Sequence, residues 1–525
     1  MYDLVLRDGF VIDGEGKPGF KGSVAVSDGI IVQISPHISK EARVVLDAEG
    51  KIVCPGFIDM HGHNDWVLLN RPFSEDKVWQ GITTQTIGHC GFSAAPLTEE
   101  WKRLAPSELL GGRPLEWRWQ SFREYLKILG EQDLGTNVAP FIGYGPVRVA
   151  VMGLAGGEPN KDQLRRMCEL VAQAMEDGAF GLTTGLAYPP QAEATLDELV
   201  ELCKVVARYG GLYATHVRNN TYDVASGVRE AIEIAERSGV RVHIAHLQIR
   251  PRAGHRIEKV LELMDRARDR GVEVTCDQYP YLAGQGPLTP LLPAWALAGS
   301  PEVIRCRLKD PDVRTRVKAY MAETVEKFFQ WSDIILWSFK DPRLQGRSIQ
   351  TLAHLAERDP KDLVIDLLIQ YGISETALYF GKTENDLQTI AMWPYAMVGT
   401  DGIYYEESDE RCIHPRTFGT FPRMIRKYVR EQRVMKLEEV IFRMTGLPAQ
   451  TLGLQDRGVL AEGKRADIVV FDPDTISDTA TYESPVSPPR GILYVIVNGK
   501  VVKGPEGDHR CRAGEVLRYR RCFER

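Results

Sequence analysis

Apolar and polar positions change their period along this chain. Over residues 1–50 they run in short stretches, at 2–7, 10–13, 23–27, 30–34 and 44–47, which predict strands. Asp-Gly pairs at 8–9 and 28–29 predict tight turns between them. From residue 52 the pattern becomes strands alternating with helix-length segments. Strands are predicted near 52–60, 82–88, 136–143, 179–184, 211–216, 240–246, 271–277 and 396–400, and helices at 162–177, 196–209, 222–238 and 256–270. Eight strands with intervening helices are what a TIM-like (β/α)8 barrel requires, so the predicted class is α/β. The long interval before the last strand contains apolar helical segments such as 360–371, which predicts an inserted subdomain rather than a bare loop. A helix is predicted at 437–453, and β patterning returns at 458–460, 466–472 and 494–502. The simplest arrangement joins both termini into one small β-sandwich. The expected divisions are 1–54 (first part of the sandwich), 55–455 (barrel, with the insertion at about 284–390) and 456–525 (second part).

Composition narrows the function classes. With 525 residues, 43% hydrophobic and 26% charged, the chain can bury the core of two or three domains. A net charge of −6 is small for this length, and it argues against nucleic-acid or membrane-surface partners. The N-terminus lacks the basic and apolar regions of a signal peptide, and no run approaches the roughly 18 apolar residues of a spanning helix. Nine scattered cysteines suit a reducing compartment better than a disulfide framework, so a cytoplasmic location is expected. The oligomeric state is left open.

Candidate chemistry sits at the C-terminal ends of the predicted strands, where a barrel builds its active site. The first ends in His61-Gly62-His63, whose imidazoles share a face by strand alternation and suit one metal ion. The second ends in Gly88-His89-Cys90-Gly91, the fifth in His216, the sixth in His246 and the eighth in Thr400-Asp401-Gly402. Taken alone, Cys90 reads as a small buried hydrophobe and Asp401 as an Asp-Gly turn. Their convergence from five strands favours a metal centre with a carboxylate beside it. His89 is expected on the opposite face of a regular strand, either supporting the ligands from behind or structural, and His243 is expected to face away from His246 and to be structural.

Several segments resemble the amidohydrolase superfamily, and within it the N-acyl-D-amino-acid deacylases (D-aminoacylases). They are Pro55 to His63, Gly88 to Pro96, Thr215-His216-Val217-Arg218, Asp277-Gln278-Tyr279-Pro280-Tyr281, Gly399 to Gly402, His414-Pro415-Arg416 with Phe418 to Pro422, and Arg457 to Asp472. The resemblance implies a metal-dependent hydrolase barrel in which Cys90, His216 and His246 hold one tight Zn2+. His61, His63 and Asp401 would border a second, weaker or empty position. It implies hydrolysis of the amide bond of N-acyl-D-amino acids by metal-activated water, with Asp401 as general base and acid. Arg416, assisted by Tyr281, would clamp the free α-carboxylate of this small-molecule substrate. The predicted fourth strand has no lysine to bridge two metals, which fits the D-aminoacylase group, in which the cysteine takes over. Relatives often carry Lys where Gln248 stands, so Gln248 becomes a substrate-contact candidate, and the loss of a cation points to neutral side chains. Alternatives are hydrolysis of D-residue dipeptides or of cyclic amides (hydantoins, dihydropyrimidines), and a non-catalytic scaffold. The intact ligand set weighs against a scaffold.

Overall fold

The computed structural model describes residues 1–104, 115–154, 156–250, 254, 256–338, 341–404 and 413–520. Residues 339–340 of the expected insertion and 521–525 of the expected C-terminal segment lie outside them.

Eight parallel strands form the barrel in sequence order: Phe57–Asp59, Ile82–Ile87, Asn137–Pro140 continued by Ile142–Gly143, Gly181–Gly185, Leu212–His216, Arg241–Ile244, Val274–Gln278 and Ala396–Val398. Each pairs with the next. The third breaks its ladder at Phe141, whose N–H donates to Ile87 O at 2.9 Å. The ring closes where Met60 N–H donates to Val398 O at 3.2 Å and Gly62 bridges Gly402. Closure leaves no open edge, and it gathers eight strand ends around one axis.

The four predicted helices are Lys161–Glu176, Leu196–Arg208, Val224–Ser238 and Ile257–Asp269. Three of the starts follow from capping, whereas Ile257–Asp269 begins after Arg256 without a side-chain cap. Asn160 and Gln163 form a reciprocal capping box, and Thr195 and Asp223 each accept an N–H from the first turn. In the third helix Val224, Val228, Ala231, Ile232 and Ala235 recur at helical spacing and are buried, while Gly239, left-handed at φ 76°, ends it. Each buried valine or isoleucine contributes roughly 1.5–3 kcal/mol.

Both termini join in one nine-stranded sheet. The Asp28-Gly29 turn is a hairpin between Phe20–Ser27 and Ile30–Ser35. The predicted turn at Asp8-Gly9 is not one. Tyr2–Val11 is a single strand with a bulge there, where Asp8 takes φ 58°. The bulge lets the strand pair Ala42–Asp47 with one half and Ile52–Pro55 with the other. Residues 458–460 are not a strand either, although Leu460 N–H donates to Asp13 O at 2.9 Å. The helix expected at 437–453 is two, Leu437–Met444 and Gly446–Leu452.

Between the seventh and eighth strands a three-stranded antiparallel sheet (Gly284–Pro287, Ile334–Ser338, Thr376–Tyr379) packs with its own helices. Leu288, Leu308, Val317, Ile349 and Leu368 belong to its core. No helix among the described residues is long and apolar enough to cross a membrane.

A buried network joins the terminal sheet to the barrel. Arg457 Nη1 lies 2.8 Å from Asp467 Oδ2, which also accepts from Asn137 Nδ2 at 3.0 Å. Asp467 Oδ1 accepts Asn498 N–H at 2.7 Å. Arg457→Ala leaves this carboxylate buried without its countercharge, an expected loss of about 3–5 kcal/mol. A denaturant midpoint equal to that of the unsubstituted chain would refute the role of this pair.

Candidate metal centre

The strand-end residues do meet. Cys90 Sγ lies 3.4 Å from His246 Nε2, 3.5 Å from His61 Nε2 and 3.8 Å from His216 Nδ1. His216 Nδ1 and His246 Nε2 are 3.0 Å apart. Beside them His63 Nε2 is 3.1 Å and His61 Nε2 3.6 Å from Asp401 Oδ1. Two overlapping donor groups result, His61–Cys90–His246 and His61–His63–Asp401, with His61 in both. All of these residues are buried.

The spacing fits zinc. Tetrahedral bonds of about 2.3 Å to sulfur and about 2.05 Å to nitrogen give edges of about 3.6 Å (S···N) and about 3.3 Å (N···N). Protonation fits as well, since metal ligands must be deprotonated. Burial holds His216 well below its usual pKa and His246 at about 4, so both keep a lone pair. Burial raises the Cys90 thiol, but His61 and His63 outweigh it and pull it down. Burial acts downward on both His61 and His63, yet Asp277 and Cys90 raise His61, and Asp401 and Cys90 raise His63. Imidazoles so surrounded by negative charge mark a place for a cation.

The backbone bends to place these groups. Cys90 lies beyond its strand, in a short turn after left-handed Gly88, and itself has φ 52°. His246 (φ 35°) and Asp401 (φ 47°) are also left-handed, a conformation that costs a non-glycine residue roughly 1–3 kcal/mol. Tertiary hydrogen bonds hold them: His246 N–H to Asp277 Oδ1 at 3.0 Å, and Asp401 N–H to His61 O at 2.8 Å. Asp59 accepts Thr400 N–H at 2.8 Å and pairs with buried Lys77 at 3.0 Å, which fixes the segment before Asp401.

Asp277 is the residue that the strand-end argument passed over, although it stands at the end of the seventh strand. Its Oδ2 is 3.3 Å from His61 Nδ1 and 2.9 Å from His243 Nε2. This places the His61 proton on Nδ1 and turns Nε2 toward Cys90. His243, on Asp277 and Thr275, lies off the donor cluster. His89 bonds Thr86 at 2.8 Å and stacks on His61.

A cavity of about 200 Å³ opens over the cluster, walled by the barrel and by the insertion through Gly284–Pro287 and Thr376. Arg416 lines it, with Nη1 2.7 Å from Asp401 Oδ2. Arg416 Nε and Nη1 have no hydrogen-bond acceptor among the described residues, so the pair is a charge contact with donors to spare. Gln248 also lines the cavity. Tyr281 does not. Its hydroxyl donates to Pro415 O at 3.3 Å and its ring faces Arg423, because the chain turns at Pro280, with Tyr281 N–H on Tyr279 O at 2.9 Å. Tyr279 stands in the cavity instead, with the Arg416 guanidinium 4.5 Å from its ring centre. Tyr188, 3.4 Å from His216, is there too. The loss of a cation at Gln248 is also offset: Arg250 lines the same wall. Continued alternation from His246 through Gln248 could have revealed Arg250; nothing local marks Tyr188.

A model of the amidohydrolase family matches residues 44–296 and 401–503. The chain belongs to that family. A D-aminoacylase of Alcaligenes xylosoxydans xylosoxydans is 34% identical over 520 residues, 98% of this chain and 97% of the relative. An N-acyl-D-glutamate deacylase of the same organism is 36% identical, over 98% of this chain and 96% of that one. The crystal structure of N-acyl-D-glutamate deacylase from Bordetella bronchiseptica, with zinc and a phosphonate mimic of the tetrahedral intermediate, is similar at TM-score 0.83 and 35% identity, covering 99% of this chain and 100% of that one. Within the family, the chain falls in the N-acyl-D-amino-acid deacylase branch, and cyclic-amide hydrolases match it only distantly.

Cys90→Ala is expected to lose stoichiometric zinc, and Asp277→Asn to weaken zinc affinity about 10–100-fold by loosening the His246 turn together with the His61 ring. Metal analysis after dialysis against graded chelator reads both, and full zinc retention by Cys90→Ala would remove it from the ligand set.

Proposed function

We propose that this protein is a zinc-dependent hydrolase of N-acyl-D-amino acids, which releases a carboxylate and the free D-amino acid. The observation that carries the reading is one cavity holding a cysteine-containing donor cluster, the Asp401 carboxylate and the spare donors of Arg416. Cys90, His216 and His246 would hold the tight zinc. His61 stands at the boundary to a second, weaker position beside His63 and Asp401. The metal, when bound, supplies a Lewis acid that polarises the amide carbonyl and acidifies water.

The chain's own groups do the rest. Asp401 is the general base and acid: its carboxylate takes one proton from the attacking water, whose oxygen joins the acyl carbon, and gives it to the amine nitrogen as the C–N bond breaks. Burial opposes ionisation of Asp401, but Arg416, His63 and His246 outweigh it and hold its pKa well below the carboxylate range. Arg416, braced on the Tyr279 ring, binds the α-carboxylate with its free donors. Gly284–Pro287 and Thr376 wall the cavity beside these charges, and a substrate that displaces water there strengthens the contacts among them. D-stereochemistry rests on membership of the deacylase branch.

The direct test is amine release by zinc-loaded protein from matched D- and L-N-acetyl amino acids, with D-substrates alone expected to turn over. Equal turnover of both series, or none, would overturn the reading. Asp401→Asn is expected to lower kcat about 10²–10⁴-fold with zinc retained; near-normal turnover would take away its proton-transfer role. Arg416→Ala is expected to raise KM about 10–100-fold for free acids and little for their α-amides. An equal rise for both would rule out the clamp.

A further inference from the structure

Eight arginines and lysines are buried among the described residues. Six of them meet a carboxylate: Lys77 (Asp59), Arg148 (Glu198), Arg416 (Asp401), Lys427 (Glu384), Arg443 (Glu439) and Arg457 (Asp467). The other two, Arg250 and Lys382, are only 5% and 7% exposed, and neither is paired with a described carboxylate. They are neighbours at the substrate cavity. Arg250 lines it, Gly381 lies against the Arg250 stem, and Lys382 Nζ stands 4.1 Å from the ring centre of cavity-lining Tyr279. Arg250 Nε and Nη1 have no hydrogen-bond acceptor among the described residues, although the guanidinium rests 4.6 Å from the Phe329 ring centre.

Burying a charge without a countercharge is costly, and contact with an aromatic face recovers only part of the loss. Burial brings Arg250 down to about 10, with Tyr279, Tyr222 and Tyr379 acting the other way. Burial, then Arg250 and Arg416, hold Lys382 well below its usual value. Arg250 on the cavity wall and Lys382 against the ring of cavity-lining Tyr279 form a site that an incoming anion would complete.

We propose that Arg250 and Lys382 form a subsite for a second anionic group of the substrate. The preferred substrates then carry two carboxylates, one at Arg416 and one at this pair. The proposal rests on the deacylase reading for the position of the first carboxylate, and it reverses the neutral preference expected from Gln248. The second carboxylate has two possible sources, an acidic amino-acid side chain or a dicarboxylic acyl group.

Two measurements test it separately from the reaction. In zinc-loaded Asp401→Asn, calorimetry compares the binding of N-acetyl-D-glutamate, N-acetyl-D-aspartate, N-succinyl-D-leucine and N-acetyl-D-leucine. At least one dianion is expected to bind about 10–100-fold more tightly than N-acetyl-D-leucine. That preference is expected to collapse toward unity when Arg250→Met or Lys382→Met is added. Preference for glutamate or aspartate assigns the anion to the side chain, and preference for the succinyl compound assigns it to the acyl group. Equal affinity for neutral and dianionic compounds in Asp401→Asn alone overturns the subsite, whether or not the added variants fold. So does a preference that survives both substitutions. Turnover of the same panel by the unsubstituted zinc enzyme is read independently. No turnover, with dianion binding intact and sensitive to Arg250→Met, would discard the deacylase reading and keep the anion site.

Discussion

One buried carboxylate organises the metal centre. Asp277 has no exposure to water, and it accepts from the His61 ring, the His243 ring and the His246 backbone. An isolated carboxylate at such depth would be too costly to keep charged. Three converging donors make it sustainable, and burial is outweighed so strongly that its pKa falls far below the carboxylate range. In return it fixes the His61 tautomer and the left-handed turn of His246. Two donors from separate strands therefore face Cys90 as a consequence of one side chain.

Charge is the second theme of the site, and it is arranged in two zones. Around the donors the balance is negative, with Cys90, Asp277 and Asp401 gathered against His61 and His63. Across the cavity, Arg416 and Lys382 lie against the Tyr279 ring, and Arg250 lines the same cavity. Asp401 lies between, in contact with His63 on one side and Arg416 on the other. A polar amide with a carboxylate tail matches this gradient, its carbonyl toward a bound cation and its anion toward the guanidinium. The barrel supplies the donor side, and the inserted subdomain closes part of the opposite wall.

Much of the barrel was legible because its strands and helices obey local rules. Alternating short apolar runs and amphipathic segments located seven barrel strands and the four helices within a few residues, while the run expected as one strand at 52–60 divides into Ile52–Pro55 of the terminal sheet and Phe57–Asp59 of the barrel. The N-terminal sheet was read less well. Asp8-Gly9 carries a turn signature, yet pairing on both sides of Tyr2–Val11 turns it into a bulge. The strand-end rule found Cys90, His61, His63, His216, His246 and Asp401, and applied to the seventh strand it would have found Asp277. It could not foresee that Cys90, His246 and Asp401 leave strand geometry altogether, since their positive φ values are held by long-range hydrogen bonds.

The sequence by itself determined the period of each element and the residue types at the strand ends, because both depend on neighbours along the chain. Only the tertiary structure decided which tyrosine faces the substrate. Tyr279 and Tyr281 are two residues apart and alike in type, and the turn at Pro280 separates them. The same holds for Arg250 and Lys382. In sequence they are two ordinary cations separated by more than a hundred residues, and their lack of countercharge among the described residues is a property of space that no local pattern records.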